Sequence, residues 1–176
     1  MTKRLAAILT IGTALAGCGG GGSPAASSAG GWDGTKACET LKQADVEAVT
    51  GQKAQAGKLD AVNQPSEGRA ATSMCSYALA DGGAVTFLSR VSEGEDLQQA
   101  LAAIKNPPAG MEMGRQEDVA GVGKAALWNE TTHQLQFWLD GDHFGIVGIM
   151  RGDFSKQPDL SKSKEQAIAL AKRLGA

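Results

Sequence analysis

Aromatic side chains make up only 5% of this chain, histidine occurs twice, and 17 basic residues face 19 acidic ones. Each scarcity excludes something. Few aromatics together with 24 glycines predict a modest core with many turns. The lack of a basic excess removes the cationic stripe that neutralises phosphates, and with it nucleic acid and electrostatic attachment to an anionic leaflet. The longest apolar run, about a dozen residues near the start, falls short of the ~20 that span a bilayer. No CxxC pair and no GxSxG elbow occurs, so redox, zinc-ribbon and serine-hydrolase signatures are missing.

What is present begins with an address. Lys3 and Arg4 precede the apolar run Leu5 to Ala14, and Leu15-Ala16-Gly17-Cys18 closes it. A positive segment, an apolar segment and small residues are the parts of an export signal. The last four residues resemble the lipobox of bacterial lipoproteins, which implies cleavage before Cys18, a diacylglyceryl group on its thiol and an acylated amino terminus. Two or three acyl chains anchor stably where one binds marginally. Residues 1–17 are thus a signal peptide. Their loss takes Lys3 and Arg4 from the 17 basic residues and nothing from the 19 acidic ones, leaving 15 against 19 and a formal charge of −4.

Residues 18–31 follow as the lipidated cysteine and a Gly/Ser/Ala tether that cannot bury apolar surface. Its random-coil reach is about 20 Å, which keeps the domain close to its membrane. Gly19, rather than Asp, follows the cysteine. Lipoprotein sorting in general then implies an outer membrane facing the periplasm where the cell has one, and otherwise the outer face of the plasma membrane.

Residues 32–176 are the size of one globular domain. With Cys18 assigned to lipid, Cys38 and Cys75 remain, an even number in an oxidising compartment, and a disulfide between them is expected. Thr35 to Gly51 reads as one broken helix or two short ones, with Cys38, Leu41, Val46 and Val49 inward and Gly51 as the stop. Residues 52–71 look irregular, with a short strand near Gln52 to Leu59. Ser73 to Ala80 and Ala84 to Val91 alternate in polarity around Asp81-Gly82-Gly83, a hairpin signal.

Ser92-Glu93-Gly94-Glu95 has capping-box spacing ahead of Leu97, Ala100, Leu101 and Ile104, and Pro107-Pro108 end that helix. Met111 to Val119, Lys124 to Glu130, Gln134 to Asp140 and His143 to Arg151 read as extended segments of a meander. After Pro158, Ser163 with Gln166 offers another capping box, followed by Ala167, Ile168, Ala171 and Leu174 on one face and Gly175 as the stop. The fold class is α+β: an antiparallel sheet of about five strands with two or three helices packed on it.

Chemical motifs are weak. Gly121-Val122-Gly123-Lys124 lacks the spacing of a phosphate loop and is better read as a turn. His133, Asp140, Asp142 and His143 surround two turns, where turn chemistry accounts for the aspartates, so no metal is assigned. Arg151-Gly152-Asp153 is a triplet that turns produce by chance. No catalytic residue and no cofactor is assigned. Trp138 alternates with Leu135, Phe137 and Leu139 and would be exposed if helices cover only their face; with Trp128 it would then form a partner-binding surface. Trp32, just after the tether, could instead plug the core.

Cys38, Leu41, Asp45-Val46, Gly51 and Cys75-Ser76-Tyr77 together resemble an uncharacterised family of small bacterial envelope lipoproteins, best populated in actinobacteria. Thr40 stands where that pattern has a first leucine. Gly121-Val122-Gly123 with Ala125-Ala126 and the Ala-rich final helix extend the likeness over about residues 36–174. The resemblance implies a Mog1/PsbP-like domain and no established activity. The expected function is a membrane-anchored, non-catalytic binding domain for an envelope protein or a small ligand. The alternatives are an envelope hydrolase and a structural or inhibitor subunit of an envelope assembly.

Overall fold

The computed structural model of the chain describes residues 31–110, 114–150, 152 and 160–176. Cys18, the signal, most of the tether, Met111 to Met113, Arg151, Asp153 and Pro158 lie outside the described residues. Among the described residues no helix is long and apolar enough to cross a membrane.

The chain runs α1 (Ala37–Thr40), α2 (Gln43–Thr50), β1 (Lys58–Asn63), β2 (Ala71–Ala78), β3 (Ala84–Val91), α3 (Leu97–Lys105), β4 (Gln116–Asp118), β5 (Ala125–Asn129), β6 (Gln134–Trp138), β7 (His143–Met150) and α4 (Leu160–Arg173). All seven strands form one antiparallel sheet in the order β1-β2-β3-β7-β6-β5-β4. The α+β class is as expected, but among the described residues the strands number seven rather than about five and the helices four. Two of the strands, β1 and β4, are sheet edges. β1 lies at Lys58–Asn63 rather than near Gln52 to Leu59, and all six of its residues are exposed, so no burial period marks it in sequence.

Period-two alternation places the two faces. One face carries Cys75, Tyr77, Phe87, Trp128, Leu135, Phe137 and Val147 and is covered by α1, α2 and α4 through Leu41, Val46, Ala167 and Leu170. The other face carries Leu127, Trp138 and Phe144 and, among the described residues, is covered by α3 alone.

The break between α1 and α2 falls at Leu41, which is extended (φ −93°, ψ 120°) and fully buried. The break frees a carbonyl inside the protein, where an unpaired acceptor is costly. The Tyr77 hydroxyl donates to it, and burial, helped by Asp45, raises the Tyr77 hydroxyl pKa to about 12. At the start of α1, which lacks a side-chain cap of its own, the Ala37 N–H donates to Ser73 Oγ at 2.8 Å while that hydroxyl donates to Gly34 O at 2.7 Å. Between these two contacts Cys38 and Cys75 are joined, with Cα atoms 5.1 Å apart. Gly51, at φ 68°, closes α2 in the left-handed region.

Two helix starts differ from the sequence reading. α3 is capped by Asp96, whose Oδ1 accepts from Gln98 N and Gln99 N at 2.9 and 3.1 Å. Glu95, the would-be partner of Ser92 in a capping box, pairs with Arg90 on β3 at 3.0 Å and accepts from the Ser92 hydroxyl at 3.4 Å, while the Ser92 N–H donates to Asp142 O at 2.9 Å. α4 begins at Leu160, so Ser163 lies within it and is fully buried, and Gln166 reaches back to the carbonyls of Val49 and Thr50.

Cys38 and Cys75 are 37 positions apart, and closing such a loop stabilises a fold by about 4 kcal/mol in the chain-entropy picture. The double exchange Cys38→Ser with Cys75→Ser should lower unfolding free energy by ~2–4 kcal/mol, read as a lower urea midpoint with a somewhat steeper slope, since the unfolded chain is no longer cross-linked.

Candidate functional site

The residues singled out by sequence do not converge. Trp128 and Trp138 are 1% and 2% exposed, so neither contributes to an exposed binding surface. They also lie on opposite faces. Trp128 is opposite Leu135 on β6 and shares the face with Phe137, whereas Trp138 packs on Phe144 with ring centroids 4.7 Å apart, beneath α3. The expected surface fails because α3 covers the second face of the sheet. Trp32 is partly buried and sets its edge against Phe87 and Phe137, at 5.5 and 6.1 Å, as a plug.

His133 and His143 sit at opposite ends of the β6–β7 hairpin. His133 stacks on Trp128 at 6.5 Å. His143 Nδ1 lies 2.8 and 2.9 Å from the two oxygens of Asp140, which also accepts from the N–H groups of Asp142 and His143. Partial burial acts to raise the Asp140 pKa, but these hydrogen bonds and the His143 ring outweigh it and hold the carboxyl below its ordinary value. Asp142 accepts instead from Gly94 N–H at 2.8 Å. Both aspartates therefore organise turns. Among the described residues no group of three or more His, Cys, Asp or Glu could hold a metal ion. The Gly121–Lys124 turn leads into a strand, not a helix, and Lys124 N–H donates to Trp138 O at 2.8 Å, so it is a structural turn.

A different place gathers a recess and charge. The tip of the β1–β2 hairpin, where Ser66 and Arg69 pair through their backbones, stands beside the connection leaving β3. Between them lies an open groove of about 730 Å³ lined by residues 65–71 and 90–93. Its charges are balanced: Arg69 and Arg90 against Glu67 and Glu93. Arg69 is exposed and makes no ion pair among the described residues, while Arg90 is held by Glu95 and lies 5.9 Å over the Phe144 ring. Arg90 thus belongs both to the groove and to the stack Arg90–Phe144–Trp138 under α3.

That stack contains a second feature. Trp138 Nε1 is buried without a hydrogen-bond partner, unusual for an indole, since buried donors are generally satisfied. Sequence reasoning missed the groove because residues 52–71 have no periodicity and the approach of Arg69 to Arg90 depends on the β2–β3 register, Thr72 opposite Arg90.

No protein-family model matches the chain, and neither a curated protein nor a solved structure is significantly similar to it.

Because the folded pKa of Asp140 is lowered, its stabilising effect is complete above the unfolded-state value and is lost as pH falls through the folded one. Asp140→Asn should therefore reduce thermal stability at neutral pH and flatten the acid limb below about pH 4. Melting curves of both proteins from pH 7 to pH 2 would show the two profiles converging at the acid end.

Proposed function

We propose that this chain is a membrane-anchored bacterial envelope lipoprotein whose single domain binds a partner or a small ligand without catalysing a reaction. The observation that carries the reading is the Cys38–Cys75 disulfide, a bond that persists in oxidising compartments and so supports export. It leaves Cys18, in its lipobox-like setting, as the cysteine available to an anchor. The bond also joins the two cysteines on which the resemblance to the envelope lipoprotein family rests, with Ser76-Tyr77 continuing along β2, and the layered sheet is compatible with a Mog1/PsbP-like domain. The groove beside Arg69 supplies a recess for binding.

The hydrolase alternative has less support. A nucleophile needs a base beside it, and among the described residues no hydroxyl or thiol hydrogen-bonds to His143. A structural or inhibitor role would use the same exposed groove and differs only in the size of the partner.

Cells expressing the whole chain should incorporate labelled palmitate into it and retain it in the membrane fraction, and Cys18→Ala should abolish both. A label-free, soluble wild-type chain would overturn the anchor. In vivo crosslinking with Arg69→Glu alongside tests the domain: loss of the recovered partner or ligand places it in the groove, and unchanged recovery removes the groove from the reading.

A further inference from the structure

Resting on the binding-domain reading, we infer that the groove and the seam beneath α3 form one site, and that it takes a single-chain zwitterionic phospholipid. Three independent features lead to this class.

The first is the unpaired donor. Trp138 is 2% exposed and its Nε1–H has no partner, so a neutral acceptor oxygen entering the seam would gain a hydrogen bond that no water competes for. A carboxylate there would be disfavoured, because one hydrogen bond does not offset the burial of a charge. An ester carbonyl meets the requirement.

The second is the cover. α3 lies on the apolar seam through Leu97, Leu101 and Ile104, yet none of its residues is buried. It is bracketed by Gly94 at φ 66° and Gly110 at φ 86°, each with open space where a Cβ would stand, and its C-terminal end is held by an ion pair of Lys105 with Asp118, at 2.6 Å on the surface. Exposed pairs of this kind are weak. The start of α3 is tied to the sheet by Asp142 on Gly94 N–H and by Arg90 on Glu95, so the C-terminal half, with an exposed latch and Gly110 behind it, can lift from the sheet at modest cost and admit an acyl chain against Trp138, Phe144 and Leu127.

The third is the mouth. Arg90 and Trp138 lie on strands separated by β7 alone, with Phe144 between them, about 10 Å across the sheet. That separation suits a glycerophosphate linker running from a phosphate to an acyl ester. In the groove a phosphate meets Arg69 and the donors of Arg90 that Glu95 does not use, and an ammonium meets Glu67 and Glu93. Balanced charge favours a zwitterionic head over a purely anionic one, which would face those two carboxylates unpaired.

The test uses the whole chain carrying Cys18→Ser, so that no anchor is added and the result is independent of whether Cys18 is acylated. Palmitoyl lysophosphatidylethanolamine is titrated against it below micellar concentration, with palmitoyl lysophosphatidylglycerol and monopalmitoylglycerol for comparison. The readout is the indole N–H spectrum of the ¹⁵N-tryptophan-labelled protein, which has three tryptophans. The inference expects saturable binding with the ethanolamine lipid preferred, a downfield shift of the Trp138 indole proton, and roughly three- to tenfold weaker binding of all three ester lipids in Trp138→Phe. Arg69→Glu should weaken the phospholipids and leave monopalmitoylglycerol unchanged. No saturable binding, an unmoved Trp138 signal at saturation, or tighter binding of the glycerol phospholipid would each overturn it. The spectrum of the unsubstituted seam decides the matter even if Trp138→Phe fails to fold.

Discussion

The helix layer on the core face is held by one row of side chains. Ser73, Cys75 and Tyr77 occupy successive inward positions of β2, and each grips the N-terminal helices by a different bond. Ser73 caps α1, Cys75 is joined covalently to Cys38, and Tyr77 takes the carbonyl set free where the helix breaks at Leu41. A four-residue helix cannot sustain itself in water. α1 exists because the strand supplies the partners its own termini lack. The rest of the core follows from that placement: α2 turns away at the break, α4 packs against it through Gln166 and an Arg173–Asp45 ion pair at 2.9 Å, and α4 in turn reaches across to β4 through Lys164 and Glu117.

The opposite face is built differently. Among the described residues its cover is a single helix with no buried residue, fixed at its start by Asp96 capping and by Glu95, which pairs with Arg90 and accepts from the Ser92 hydroxyl. The two faces thus divide the work: one is cross-linked by a disulfide and tied to its helices by side-chain hydrogen bonds, while the other is loosely covered and retains an unpaired indole N–H. A sheet closed firmly on one side and lightly on the other provides a rigid floor with a yielding roof, a combination suited to binding.

How much of this could be read from the residues depended on burial. The β2–β3 hairpin and the β5–β7 meander were legible because alternation of apolar and polar residues reports directly on a half-buried strand. β1 was not, since an edge strand exposed on both sides is specified by its backbone pairing with β2 and leaves no hydrophobic period. The α3 cap was misplaced by four residues because Ser92 and Asp96 are both competent, and tertiary neighbours made the choice: Asp142 takes the Ser92 N–H and Arg90 pairs with Glu95. Trp128 and Trp138 illustrate the same limit. Their separate faces follow from the Trp128–Leu135 and Ala125–Trp138 pairings, which no inspection of one strand contains, and the burial of Trp138 follows from a helix that precedes it in the chain by more than thirty residues. The groove is a property of register, and register is set by pairs.

The sheet order has a temporal side. β1, β2 and β3 are consecutive, as are β4 to β7, but the two ribbons meet only where β3 pairs with β7 along its whole length, from Ala84 opposite Met150 to Val91 opposite His143. These are contacts of large sequence separation in the middle of the sheet, the kind that form late and slow a fold. A chain emerging amino-terminus first therefore displays β3 as a bare edge until the last strand arrives, and a free edge of that length is a template for wrong partners. The early disulfide to β2 lies within the first ribbon and can steady it during that interval. Folding of this domain is thus a race between completing β7 and finding a neighbour, and exchanges that slow the second ribbon will show themselves first as aggregation rather than as loss of stability.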